Sequence, residues 1–305
     1  NMRVVIVGLG TQGYKRKRIA GSSCIATVDP INQDADYKHL SQVPAAEYDA
    51  VLLCVPDSEK IALMRISISK KKHVLVEKPL WGNAEEELRN IEALSNKNGV
   101  LIYTAYNHRF EPSFTKMKTL IESGKLGNLY NCRIFYGNGT AKLVRNSSWR
   151  DKGTGVLFDL GSHLLDTTEY WFGDIKGKLE LISINKFENK SPDHAALLFQ
   201  ENKPRIELEM TLLSWKNHFS CDIFAEHGSA HIKSLCKWGN AEFSIRSRVF
   251  PSGPPIEENY KFEDDDPTWL LEFEYFKSQC LNGFMTNFSK DLWIYRELRE
   301  IEKRV

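Results

Sequence analysis

Gly8-Leu9-Gly10-Thr11-Gln12-Gly13 is the stretch on which the fold turns. It follows a solid apolar run at residues 3–7 and opens a helix-compatible stretch. Each glycine at this spacing has a physical task. The first permits a tight turn, the second lets backbone approach a pyrophosphate, and the third lets helix and strand pack closely. The free N–H groups of the following helix then hold the anion. Alone, such a motif is a weak signal. Here it stands at the end of the first strand candidate, and Asp29 closes the second strand candidate sixteen residues past Gly13. That is the place for an acid that binds the ribose hydroxyls of a dinucleotide. A carboxylate there attracts a 2′-hydroxyl and repels a 2′-phosphate, so NAD is expected over NADP. Pro30 and Ile31 bring no arginine, and Arg16 and Arg18 are the only basic side chains near enough to receive an extra phosphate.

Outward from that turn, short apolar runs alternate with polar stretches. Further strands are expected at 24–28, 50–55, 73–76 and 100–104, and a helix at 84–98 with Leu88, Ile91 and Leu94 on one face and Gly99 as its C-cap. Buried parallel strands read as continuous apolar runs because helices cover both faces. Strand–helix alternation of this kind predicts a doubly wound parallel sheet, a Rossmann domain over residues 1–118.

The pattern then changes. After a helix at 114–122, period-two strand candidates follow at 130–136, 179–187, 195–200, 205–213, 219–226, 230–235 and 241–246, with one helix near 159–171. An α+β domain with a large, mostly antiparallel open sheet is expected over 119–305. An amphipathic segment at 267–281 and a helix at 290–304 close the chain, the last helix packing either there or back on the first domain.

Composition narrows the function. The 305 residues carry 42% hydrophobic and 27% charged side chains, with 41 basic against 40 acidic groups and a formal charge of +1. No overall field favours nucleic acid or anionic lipid. The short basic runs at 15–18 and 70–72 read as solvated surface. Six scattered cysteines lack any Cys-x-x-Cys pair, so free, mostly buried thiols are expected and no metal site is assigned. No apolar run reaches bilayer length, and Met2 leads directly into a strand candidate, which points to a cytoplasmic protein with no membrane partner.

Three further motifs complete the reading. Glu77-Lys78-Pro79 ends the fourth strand candidate, Tyr106-Asn107-His108-Arg109-Phe110 follows the fifth, and Asp159-Leu160-Gly161-Ser162-His163-Leu164-Leu165-Asp166 lies beyond. With the glycine turn, these resemble the Gfo/Idh/MocA family, named for glucose–fructose oxidoreductase and inositol dehydrogenase, over nearly the whole chain. The resemblance implies a Rossmann domain followed by an open sheet used for dimer or tetramer contacts, and oxidation or reduction of a sugar, cyclitol or nucleotide-sugar. It places Lys78 beside nicotinamide and substrate, Asp159 and His163 at the substrate hydroxyl, and a cis bond before Pro79. One departure is visible: the glycine-rich stretch that commonly precedes that aspartate is reduced to Gly153-Thr154-Gly155.

The chemistry fits those residues. Hydride transfer from a secondary alcohol needs a base for the hydroxyl proton, and ketone reduction needs the same group as an acid. Asp159 and His163 lie four apart, on one face of a helix, and Asp166 lies three further on. His163 is read as principal acid–base, Lys78 as electrostatic and proton-relay partner, and Asp159 as orienter. The expected cofactor contacts are Gly8, Gly10, Thr11, Gln12, Gly13, Asp29, Cys54, Pro56, Glu77 and Lys78. Tyr106, Arg109, Trp149 and Arg150 are candidates for the substrate side. A dinucleotide-sensing regulator on the same fold is the alternative, although a sensor has no chemical reason to keep Lys78, Asp159 and His163.

Overall fold

The structure, a computed structural model, describes residues 1–263 and 265–305. It divides into two compact units: Asn1–Asn107 with Thr268–Arg296, and His108–Pro267 with Glu297–Val305. The first begins with β1 (Val4–Val7), α1 (Thr11–Ala20), β2 (Cys24–Val28), β3 (Ala50–Leu53), α2 (Asp57–Ser69), β4 (His73–Glu77), α3 (Glu85–Lys97) and β5 (Ile102–Ala105). The strands form one parallel sheet in the order β2-β1-β3-β4-β5. Each is fully or largely buried because helices cover both faces. The helix expected at 84–98 starts with Glu85, Glu86 and Glu87, three carboxylates at the positive end of the helix dipole, and buries Leu88 and Ile91.

The second unit contains α4 (Pro112–Glu122), β6 (Leu129–Gly137), α5 (Ala141–Arg145) and α6 (Ser162–Phe172), then β7 (Glu180–Asn185), β8 (His194–Phe199), β9 (Arg205–Thr211), β10 (His218–Ala225), β11 (Gly228–Lys233), β12 (Ala241–Ser247) and β13 (Ile256–Phe262). Its eight strands run in the order β13-β12-β11-β10-β6-β9-β8-β7, antiparallel except for the β6–β9 pair. Alternate side chains such as Cys132, Ile134 and Tyr136 on β6, or Ile206, Leu208 and Met210 on β9, are buried. The unit begins at His108, ahead of the boundary expected after residue 118. The reason is local: the Phe114 ring of α4 packs, tilted, against Trp171 of α6 and Phe219 of β10, at 5.1 and 5.3 Å between ring centroids.

Two helices finish the chain, α7 (Thr268–Leu281) and α8 (Ser289–Glu302). Phe273, Phe276 and Cys280 of α7 pack with Val4, Ile6, Leu52 and Leu75 on one face of the parallel sheet. Phe288, Leu292 and Tyr295 join Val5, Val7, Val51 and Val76 on the other. Both segments thus contribute to the core of the first unit.

Besides the short α5, two elements differ from the sequence reading. No strand was expected at Ile256–Phe262, which forms the edge strand β13; its Glu257, Glu258 and Asn259 are exposed, so it has no apolar alternation to detect. The single helix expected from 159 begins instead as a π-helical turn, Leu157–Gly161, running into α6. Such a turn admits an extra residue and alters the stacking that a four-residue spacing gives in a regular α-helix. Among the described residues, no helix is long and apolar enough to cross a membrane.

Candidate functional site

In the parallel sheet all strand C-termini lie along one edge, and the sequence places a candidate residue immediately after each. Asp29 follows β2, Gly8 follows β1, Cys54 follows β3, Lys78 follows β4 and Tyr106 follows β5. The strand order reverses around β1, where open α/β sheets leave a crevice for ligands. Neighbouring strands are about 4.8 Å apart, so Asp29 and Lys78 are separated by three spacings, roughly 14 Å. An extended dinucleotide laid across the edge can reach from one to the other.

The glycine turn is shaped by backbone approach. Gly8 has φ +90°, and a Cβ there would stand 2.2 Å from the carbonyl oxygen of Cys54; one on Gly13 would stand 1.9 Å from that of Gly8. Gly10 is different. A Cβ on it would meet nothing within 4 Å, so the protein itself gives no reason to omit one. The N-terminus of α1 beside it has no side-chain cap and no acid in its first turn, and Thr11 and Gln12 are exposed. Open space beside uncapped N–H groups suits a pyrophosphate. Asp29 is fixed next to it. One of its oxygens accepts from Leu9 N at 2.8 Å, the other from Ile31 N at 2.9 Å and Asn32 N at 2.8 Å. Burial pushes this carboxyl up, but the Asn32, Leu9 and Ile31 donors and the Lys38 charge outweigh it and hold it below its ordinary value. The carboxylate is ionised and keeps acceptor capacity for a ribose hydroxyl. These residues therefore fit a dinucleotide.

Beneath Lys78 lies a set of charges that the sequence did not disclose. Arg16 is 1% exposed, which corrects the expectation of a solvated run at 15–18 and removes Arg16 as a phosphate receptor. It lies on the buried stripe of α1 with Gly13 and Ala20, a helical spacing that could have revealed it. Its guanidinium donates to Glu77 at 2.7 Å and to Glu272 of α7 at 2.8 Å. The Glu77 carboxylate, expected at the cofactor, is thus turned inward. Lys60 of α2, also buried, donates to the carbonyls of Glu77 at 2.7 Å and Pro79 at 2.9 Å and pairs with Asp57 at 2.7 Å. The carbonyls of the two residues that flank half-buried Lys78 are therefore held by one cation, and the Lys78–Pro79 bond is cis. Pro56 sits exposed at the start of α2, and burial pushes the Cys54 thiol well up, so it stays protonated.

This cluster makes stability depend on pH. Burial pushes the Glu272 carboxyl up to about 7, with Arg16 opposing and Glu77 reinforcing the shift. Between the ordinary value of 4.5 and about 7 the folded state keeps a proton that the unfolded chain has released. The resulting stabilisation is complete below that window and is lost as pH rises through about 7. Glu272→Gln is expected to flatten the stability–pH curve across the window, measured by urea unfolding at a series of pH values. An unchanged slope would assign the proton to another group.

In the second unit, His163 lies in the first turn of α6 and is 9% exposed. Its Nδ1 is hydrogen-bonded to Nδ1 of buried His108, the rings crossing at 81° with centroids 3.8 Å apart. Asp159, in the π-helical turn, is more open and faces Arg150 at 3.7 Å. Asp166 is 1% exposed and belongs to a different group: Arg109 donates to both of its oxygens, at 3.1 and 2.9 Å, and to Glu169 at 2.7 Å. Arg109 is thereby committed to α6. Trp149 is 62% exposed, whereas Tyr106, in the first unit, is buried with Lys290 over its ring at 4.7 Å.

Comparison with known proteins gives the family. Residues 2–106 match the family model described as oxidoreductase family, NAD-binding Rossmann fold. Residues 114–231 match that of the GFO/IDH/MocA C-terminal domain. The chain belongs to the Gfo/Idh/MocA family. Within that family it is similar to a scyllo-inositol 2-dehydrogenase (NADP(+)) of Bacillus subtilis, 31% identical over 147 residues, which are 46% of this chain and 40% of the relative. It is also similar to a myo-inositol 2-dehydrogenase of Thermotoga maritima, 31% identical over 194 residues, 57% of this chain and 55% of the relative. These matches span about half or less of the curated relatives. In fold, the chain resembles a levoglucosan dehydrogenase crystallised with NADH, with a TM-score of 0.81 over 100% of this chain and 97% of the other at 15% identity.

Proposed function

We propose that this Gfo/Idh/MocA protein moves a hydride between a nicotinamide cofactor and a secondary alcohol or ketone carbon of a sugar, cyclitol or nucleotide-sugar. The observation that carries the reading is His163. It is a largely buried imidazole in the first turn of a helix, its Nδ1 hydrogen-bonded to a second histidine, and in this reading Nε2 exchanges a proton with substrate. The nicotinamide, when bound, supplies or accepts the hydride. The chain's own residues do the rest. The glycine turn and α1 hold the pyrophosphate, and Asp29 holds the adenosine ribose. The Lys78 ammonium stabilises negative charge developing on the reacting oxygen, Asp159 orients the hydroxyl, and Arg150 and exposed Trp149 contact the remaining hydroxyls. The inositol 2-dehydrogenases among its relatives support a polyol substrate by their names. The same reading includes a cytoplasmic homodimer or homotetramer built on the eight-stranded sheet, on which Tyr130, Ile182 and Phe224 are exposed.

The test is hydride transfer followed at the nicotinamide absorbance band, with hexoses, inositols, uronic acids and nucleotide sugars offered with NAD and NADP, and with NADH and ketoses. Turnover of one polyol class supports the reading. Tight cofactor binding with no turnover of any member in either direction overturns it.

NAD is the cofactor favoured by Asp29. Asp29→Ala removes a charged hydrogen-bond acceptor worth roughly 1.5–3 kcal/mol, so NAD affinity is expected to fall about 10- to 100-fold. NADP affinity should fall less, because a repulsion is removed with it. Dissociation constants for both cofactors check this, and an unchanged NAD-to-NADP ratio would take Asp29 out of the ribose role.

A further inference from the structure

The second unit carries a line of polar groups of which the chemistry above uses only the histidine end. His108 is 3% exposed and Tyr136, in the middle of the sheet on β6, is 2% exposed. Buried polar side chains in a row need partners, and these find one another. His163 Nδ1 meets His108 Nδ1, His108 Nε2 faces the Tyr136 hydroxyl at 3.4 Å, and Lys237 Nζ donates to that hydroxyl at 2.8 Å. Lys237 itself is exposed. Its ammonium also lies over the rings of Tyr136 and Trp238, at 5.5 and 4.9 Å.

One assignment of protons satisfies every link. Lys237 donates to Tyr136, Tyr136 donates to His108 Nε2, and His108 Nδ1–H donates to His163 Nδ1. This leaves His163 with its proton on Nε2. We infer that His163, His108, Tyr136 and Lys237 form a proton relay joining the acid–base imidazole to the protein surface. The inference rests on the function proposed above.

The relay balances in both directions. In reduction, hydride adds to the carbonyl carbon, the C=O π pair moves onto oxygen, and oxygen takes the Nε2 proton of His163. His163 Nδ1 then takes the proton from His108 Nδ1, His108 Nε2 takes one from Tyr136, and Tyr136 takes one from Lys237. The neutral Lys237 amine recovers its proton from water. Oxidation moves each proton one place the other way. Burial pushes the Tyr136 hydroxyl well above its ordinary value, with Asp159 and Glu111 adding to the shift. Tyr136 therefore passes a proton while staying neutral rather than resting as a phenolate. With substrate over Nε2, the imidazole is covered on that side, and the route through His108 restores its neutral charge; once product leaves, protonation at Nε2 and return of the Nδ1 proton along the chain restore the starting tautomers.

Three variants test the relay. Tyr136→Phe removes a single oxygen and keeps the ring against His108, Phe219 and Trp238. It is expected to lower kcat about ten-fold or more, part of the ~10²–10⁴ carried by general acid–base catalysis, with KM and NAD affinity within two-fold. The wild-type proton inventory in H2O–D2O mixtures should be curved, as several protons move together, and the Tyr136→Phe inventory linear. Lys237→Met should be slowed likewise. Lys237→Arg keeps a cation and a donor but does not release a proton, so it should be as slow as Lys237→Met; full recovery in Lys237→Arg would leave only a structural role and overturn the relay. A readout free of turnover is 15N NMR of the histidine rings, in which Tyr136→Phe should shift the resonances of both His108 and His163. Turnover in the wild type with unchanged rates and ring resonances in Tyr136→Phe overturns the relay alone. Absence of turnover in the wild type overturns the functional reading and the relay with it.

Discussion

His163→Ala is expected to lower kcat by about 10²–10⁴, the usual contribution of a positioned general acid–base. Cofactor affinity should change by no more than a few-fold, since the dinucleotide fingerprint belongs to the first unit and His163 to the second. The effect should fall on kcat and kcat/KM together, because a proton transferred only in the transition state does not hold ground-state substrate. The variant should still fold. His163 is flanked in α6 by Leu164 and Leu165, both buried, and these provide the helix with its packing. Stopped-flow hydride transfer with the substrate identified in the panel, together with NAD titration and a thermal melt, separates the outcomes. A variant with normal turnover would return His163 to the status of a satisfied core histidine.

Arg16→Met is expected to destabilise the first unit by about 3–5 kcal/mol, the cost of leaving a buried charge without its partner. Two carboxylates, Glu77 and Glu272, converge on this guanidinium, and both are almost wholly buried. At roughly 2–4 °C for each kcal/mol, the melting temperature should drop by about 6–20 °C. The loss should be smaller at pH 5 than at pH 8, since a protonated Glu272 asks less of Arg16. Scanning calorimetry at the two pH values checks both statements. A melting temperature that moves by less than 2 °C would mean that the carboxylates find other donors.

The parts of this molecule that were legible in the sequence share a cause. A strand buried on both faces must be apolar throughout, so the five parallel strands stood out, and a chain leaving such a strand must turn at once. Gly8, Asp29, Cys54, Lys78 and Tyr106 each follow one of these strands, so their place on the sheet edge was legible. What stayed hidden depends on partners far away in sequence. Arg16 reads as one of several surface cations until Glu272, 256 residues on, is placed beside it. His108 reads as part of a short motif until His163, 55 residues on, meets its ring. Lys60 acts on two backbone carbonyls, which leave no trace in side-chain pattern. The four-residue spacing of Asp159 and His163 was read on a regular α-helix, and the π-helical turn that holds Asp159 left no signal in the pattern.

The position of α7 bears on how the chain matures during synthesis. Phe273 and Phe276 close one face of the parallel sheet, yet they are made some 160 residues after the last strand of that sheet. At about 5–20 residues per second, the ribosome takes roughly 8–32 seconds to deliver them. For that interval Val4, Ile6, Leu52 and Leu75 lack part of their final cover, whatever the second unit has achieved by then. The N-terminal unit is thus begun first and completed late, and a nascent chain halted before Thr268 is the form most exposed to aggregation and to chaperone capture.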